Sequence, residues 1–279
     1  MKNFKDKVAV ITGAGSGIGR ALALELGSAG AKLALSDINE AGLKETADQL
    51  GLAEDRLMTR KLDVADRQAF YDFADDVVNH FGYANMIFNN AGVALGATVE
   101  DMNYDDFEWL MNINFWGVVY GTKAFLPYLK EAGEGHIINI SSIFGLVGIP
   151  TQSAYNAAKF AVRGFTESLR IELEMENSPV SCTSVHPGGI KTNIAKAARF
   201  DSSVERITGG DKEKSIQDFE KLFRTTPEEA ASTILKGVRG NKRRVLIGSD
   251  AVAVDTMQRL LPTSYQKLVA MGQKYMSKK

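Results

Sequence analysis

Short apolar runs alternate along this chain with longer segments whose apolar positions recur at helical spacing. "KVAVIT" (7–12), "KLALS" (32–36), "LMTRKL" (57–62), "MIFNN" (86–90), "HIINIS" (136–141), "VSCTSVH" (180–186) and "RVLIG" (244–248) read as strands. Several are apolar almost throughout, the pattern of strands covered on both faces. The intervening segments read as amphipathic helices. "RALALELGSAG" ends on Gly30 and "DRQAFYDFADDVVNHFG" on Gly82, and glycine just past a helix supplies its left-handed stop. Such alternation, joined by right-handed crossovers, predicts an α/β Rossmann-type doubly wound fold, with about seven parallel strands and helices on both faces.

Two segments depart from this rhythm. Residues 190–222 form a long polar excursion between the sixth strand and the helix opening at "TTPEEAA". It leaves a strand's carboxyl end, where open sheets bind ligands, so it is expected to be a substrate lid. Residues 249–279 form a C-terminal extension with apolar residues at helical spacing, interrupted by Pro262 and expected to pack on the domain or on a second subunit. No linker, repeat or low-complexity run divides the chain, which is read as a single domain over 1–279.

Composition narrows the function classes. The chain has 279 residues, is 44% hydrophobic and carries a formal charge of -1, which offers no electrostatic reason for nucleic acid or an anionic membrane as partner. No apolar run approaches the ~20 residues of a membrane span. The lysines ahead of the first apolar run do not make a secretion signal, because the run breaks at once into a glycine turn. Cys182 is the only cysteine, so no intrachain disulfide can form and a reducing, cytoplasmic setting is expected. Within its strand it reads as a small buried hydrophobe. His80, His136 and His186 lack ligand-like spacing, and no metal is assigned.

The first strand runs straight into "TGAGSGIGR" and a helix. Glycines there let backbone N–H groups approach a pyrophosphate at the helix's positive end. The spacing is T-G-x-x-x-G-x-G, on Gly13, Gly17 and Gly19, rather than the usual G-x-G-x-x-G. Asp37 ends the second strand, where a carboxylate can accept both hydroxyls of an adenosine ribose and repel a 2′-phosphate, which favours NAD over NADP. The alternative for Asp37 is a helix N-cap or turn residue. Arg20 and Lys32 are the nearby cations that could weaken the discrimination.

In "SAYNAAKFAV", Tyr155 and Lys159 stand four apart among small residues, on one helix face. An ammonium ~4 Å from a phenol oxygen favours the phenolate by several kcal/mol at a protein-like dielectric, enough to bring a value of about 10 towards about 7. That would make Tyr155 a general acid/base near neutral pH. Ser141 and Ser142 follow the fifth strand, and alternation should point them in different directions. Asn114 is a polar residue amid apolar ones in "MNINFWGVV", read as helix. Ile143, Phe144, Leu146, Val147 and Ile149 suggest an apolar wall, for substrate or simply for packing.

In this order and at these separations, "TGAGSGIG", "LDV" (62–64), "NNAG" (89–92), Asn114-x-x-Gly117, "ISS" ending at Ser142, Tyr155-x-x-x-Lys159 and "PG" (187–188) resemble the short-chain dehydrogenase/reductase family, in its simple single-domain branch. The resemblance implies an NAD-dependent oxidoreductase interconverting an alcohol and its ketone or aldehyde; the apolar residues after Ser142 make a hydrophobic secondary alcohol the expected substrate. It implies Asn114, Ser142, Tyr155 and Lys159 as catalytic residues: Tyr155 the acid/base, Lys159 also on the nicotinamide ribose, Asn114 in a water-linked proton relay to Lys159. Ser142 would bind the substrate oxygen, with Phe144 and Tyr155 beside it. For the cofactor it implies Gly13, Ser16, Gly17, Ile18 and Gly19 at the phosphates, Asp37 at the ribose, and Asp63 and Val64 at the adenine. Asn90, Ala91 and Gly92 would lie along the adenosine side, and Pro187, Gly188, Ile190 and Thr192 near the nicotinamide. Thr12 and Asn89 would tie strands together. A homotetramer or homodimer is expected, built on helices around 104–130 and 155–175. A dehydratase or epimerase on the same scaffold, or a non-catalytic NAD(H)-sensing regulator, are the alternatives.

Overall fold

The computed structural model describes residues 1–209 and 223–276. Seven strands form one parallel sheet in the order β3-β2-β1-β4-β6-β7-β9. They are β1 (Val8–Thr12), β2 (Lys32–Asp37), β3 (Leu57–Lys61), β4 (Met86–Asn89), β6 (Gly135–Ile140), β7 (Val180–Pro187) and β9 (Arg244–Ile247). The helices that position the site are α1 (Gly17–Ser28), α2 (Glu40–Leu50), α3 (Arg67–Phe81), α4 (Tyr104–Met111), α5 (Gly117–Glu131) and α6 (Ser153–Met175). Next come the short α7 (Ser203–Thr208), then α8 (Pro227–Arg239), α9 (Ser249–Leu260) and α10 (Tyr265–Met276).

Strand alternation divides the core into two layers. Ala9 and Ile11 of β1 face α1 and α8, packing with Leu22, Leu26, Ile234 and Leu235. Val8 and Val10 face the other way, onto Phe70, Phe73, Phe125 and Leu169 of α3, α5 and α6. All these side chains are buried, which is why the central strands read as unbroken apolar runs. Cys182 lies in the second layer, and burial pushes its thiol up to about 12, far from a reactive thiolate.

Two features differ from the sequence reading. Asn112–Trp116 is a π turn between α4 and α5, so the helix carrying Asn114 is interrupted. A second, two-stranded parallel sheet joins β5 (Leu95–Gly96) to β8 (Arg199–Phe200). It fastens the excursion after β7 across the carboxyl edge of the main sheet. Of the expected lid, residues 190–209 are described and 210–222 lie outside the described residues.

Candidate functional site

The direction of strand order reverses between β1 and β4, so a crevice opens at their carboxyl ends, the usual ligand position in an open α/β sheet. β1 leads into the glycine turn here. Ser16 precedes α1 with no side-chain cap, and the helix's first turn carries no acidic residue, so its positive end is left for an anion. Gly17 has φ +52°, and a Cβ on Gly19 would stand 2.1 Å from the carbonyl oxygen of Gly13. Only glycine permits this close turn. The Thr192 methyl stands 3.0 Å from where a Gly17 Cβ would be, so the segment after Pro187–Gly188 crosses the turn. Ile18 packs onto the first core layer.

Asp37 accepts hydrogen bonds from Gly15 N and Asn39 N, each at 2.8 Å, so its carboxylate is oriented at the edge of the crevice. The side-chain cap of α2 is Asn39, not Asp37. Arg20 donates through Nε to the Thr46 hydroxyl and through Nη2 to the carbonyls of Gly15 and Gly42 and to Glu45. Lys32 lies over the rings of Phe81 and Tyr83. Both nearby cations are therefore held by other partners. On the far side of the crevice Asp63 accepts from Ala65 N, and Val64 packs against Gly117.

Thr12 donates its hydroxyl proton to Phe88 O and accepts from the main-chain N–H of Asn90 and Ala91. Asn89 donates to Asn139 Oδ1 and Thr122 Oγ1. Both have the strand-tying contacts expected of them. Asn90 donates to the carbonyls of Thr12 and Gly13 and so fixes the "NNAG" turn against the glycine turn. A Cβ on Gly92 would lie 3.2 Å from Asn114 Oδ1 and 3.6 Å from Lys159 Nζ, which brings this turn together with both side chains. Turn, uncapped helix and oriented carboxylate fit a dinucleotide.

At the end of β6 the two serines diverge as alternation requires. Ser141 Oγ donates to Lys159 O at 2.8 Å, while Ser142 hydrogen-bonds the Tyr155 phenol and accepts from Phe144 N. Lys159 is buried, and its ammonium donates to Ile140 O at 3.0 Å and lies 5.6 Å from the centre of the Tyr155 ring. Phe144 meets the Tyr155 ring edge-on, with centroids 6.0 Å apart. Asn114 is buried and spends its amide on Val93, accepting from Val93 N and donating to Val93 O, each at 2.8 Å.

The ionisation of the pair corrects the sequence expectation. Tyr155 is only partly exposed, and dense packing pushes its phenol up to about 12, against the pull of the Ser142 hydrogen bond. Burial also pushes Lys159 down to about 8. Desolvation acts on both partners, so the protein by itself holds a neutral phenol rather than a phenolate.

A family model described as short chain dehydrogenase matches residues 7–202. The chain belongs to the short-chain dehydrogenase/reductase family. It is 49% identical over 274 residues to "Putative oxidoreductase SadH" of Mycobacterium tuberculosis, covering 98% of this chain and 97% of that one. It is 36% identical to a C alpha-dehydrogenase of Sphingobium, over 86% of this chain and 80% of that one. A crystal structure of a short-chain dehydrogenase/reductase from Burkholderia phymatum in complex with NAD superposes with a TM-score of 0.86 at 29% identity, covering 93% of this chain and 95% of that one.

Around this family core stand residues that motif reading passed over. Asn156 donates to the carbonyls of Phe144 and Val147 and accepts from Ile149 N, so α6 holds the loop after Ser142. The Tyr265 hydroxyl, from the C-terminal extension, accepts from Gly148 N at 2.9 Å and closes the same loop from the other side. Asp250 accepts from Gly189 N at 2.7 Å, in the "PGG" turn. Arg199 pairs with Asp106 and stacks 3.7 Å over Trp109, fastening the excursion to α4. His186 bridges Ser184 and Ser142. Of these, Asn156 lies inside the Tyr155-x-x-x-Lys159 motif and His186 immediately precedes the "PG" motif, so both stood beside a recognisable signal. Among the described residues, no helix is long and apolar enough to cross a membrane.

Proposed function

We propose that this oxidoreductase interconverts a hydrophobic secondary alcohol and its ketone, using NAD in preference to NADP, with Tyr155 as the general acid/base. The observation that carries the reading is the convergence of Ser142, Tyr155, Lys159 and Gly92 beside the glycine turn. Bound NAD would supply the hydride acceptor. In the oxidative direction Tyr155 acts as a base only after losing its own proton: its phenolate then takes the hydroxyl proton of the alcohol as the alcohol carbon gives up hydride. In the reductive direction Tyr155 returns that proton to the carbonyl oxygen. A neutral phenol is already the acid that reduction needs, and the Ser142 hydroxyl can hold the substrate oxygen as its charge changes.

The preference for NAD rests on the Asp37 carboxylate, with Arg20 and Lys32 occupied elsewhere. The apolar character of the substrate rests on Phe144, Leu146 and Val147, buried in the loop after Ser142. Trp116, 44% exposed and stacked on Tyr120, and Phe160, 41% exposed, lie on the helices expected to pair in a homodimer or homotetramer. The buried Cys182 suits a reducing, cytoplasmic compartment. The test is incubation with NAD and a panel of secondary alcohols, followed at the reduced-nicotinamide absorbance. Turnover supports the reading; lyase or epimerase products without net NADH, or nucleotide binding with no reaction at all, would replace it.

A further inference from the structure

His186, the penultimate residue of β7, has no exposed surface and its ring makes two hydrogen bonds. Its Nδ1 lies 2.9 Å from the main-chain oxygen of Ser142, and its Nε2 lies 2.9 Å from Ser184 Oγ. A carbonyl can only accept, so the hydrogen is on Nδ1. A neutral imidazole has one N–H, so Nε2 accepts and the Ser184 hydroxyl donates. Burial keeps the ring neutral, pushing it down to about 4 in the field of Arg244, Arg163 and Glu167.

Each residue at the end of β6 is pinned by a different partner. Ile140 O accepts from the Lys159 ammonium, and Ser141 N donates to Val185 O in the last rung of the sheet. Ser142 lies beyond that rung. Its carbonyl accepts from Gly145 N, which belongs to the same loop, and from His186, which belongs to the sheet. His186 is thus the contact that refers the Ser142 carbonyl to the rigid core.

We propose that His186 is a positioning residue, whose Nδ1–H clamps the Ser142 main chain and thereby sets where the Ser142 hydroxyl meets Tyr155. The inference rests on the roles given to Ser142 and Tyr155 above. Misplacing a reacting group by a fraction of an ångström penalises the chemical step more than cofactor binding, and this separates positioning from general structural support.

Two measurements test it. Nitrogen-15 correlation spectra of the intact protein identify the protonated nitrogen of His186, which should be Nδ1; a proton on Nε2 overturns the proposal. Kinetics with NAD and 2-decanol then compare His186→Leu, which lacks the donor, with His186→Asn, whose amide N–H stands near the position of Nδ1. The leucine variant should lose about tenfold or more in kcat while its NADH dissociation constant stays within about twofold, and asparagine should recover most of the loss. A leucine variant with the wild-type kcat, or an asparagine variant no better than leucine despite normal NADH binding, also overturns it. Tyr155→Phe separates the two levels: if it is inactive while His186→Leu is normal, only this inference fails, whereas an active Tyr155→Phe removes the reading beneath it.

Discussion

Lowering the pH from about 7.5 to about 5 should destabilise this protein through two buried imidazoles. Burial pushes His136 down to about 3 and His186 to about 4, from an ordinary value of 6.5. Both rings have partners suited to the neutral form. His136 Nε2 lies 2.7 Å from Thr183 Oγ1, whose own proton goes to Lys242 O, so Nε2 must be the donor. Between about 6.5 and 4 the unfolded chain binds two protons that the native protein refuses. The stabilisation is therefore complete above 6.5 and is lost as the pH falls. At pH 5 each group costs roughly 1.5 pKa units at ~1.4 kcal/mol, about 2 kcal/mol each and ~4 kcal/mol together, a large share of the ~5–15 kcal/mol typical of a domain. Asp106 and Glu134 are held below their ordinary range by hydrogen bonds to Arg199 and Lys7, so they add to the loss as the pH reaches the lower edge of this window and falls further. Glu25, raised by burial, acts in the opposite sense at its lower edge. Urea unfolding at the two pH values, followed by tryptophan fluorescence, measures the difference. The double variant His136→Gln with His186→Asn keeps an amide donor at each site and should be nearly flat over the same range. A wild-type loss under about 1 kcal/mol, or a double variant as acid-sensitive as wild type, would refute the reasoning.

Asp37→Ser should raise the NADP/NAD ratio of kcat/KM by about tenfold or more, because it removes a fixed negative charge where a 2′-phosphate would lie; an unchanged ratio would remove the ribose argument. Tyr265→Phe deletes the acceptor for Gly148 N, at a cost of about 1 kcal/mol. It should raise the alcohol KM about fivefold and leave NADH binding intact, and an unaltered KM would show that the C-terminal extension does not shape the substrate loop.

Most of the sheet was legible because its strands are buried on both faces and so read as apolar runs bounded by glycine. The Tyr155/Lys159 pair was legible because helical spacing is a local property. Its ionisation was not. Charge separation along a helix can be counted from four residues, but the desolvation that dominates here comes from everything packed around the pair. Partners distant in the chain were equally invisible: His186 reaches a carbonyl 44 residues away, and Tyr265 a backbone amide 117 residues away. The sheet of Leu95–Gly96 with Arg199–Phe200 has two residues per strand, too few to register as a period. Asn114 was placed in a helix, yet the π turn that interrupts it has no signature distinct from ordinary helical spacing.

The central claim is that the Tyr155 hydroxyl carries the proton for a hydride transfer in the crevice between β1 and β4. The most direct measurement is single-turnover kinetics of Tyr155→Phe with saturating NAD and an alcohol the wild type oxidises, beside NADH binding by fluorescence. The variant should bind NADH as wild type does and lose at least about 100-fold in the hydride-transfer rate. A rate within a few-fold of wild type would contradict the account.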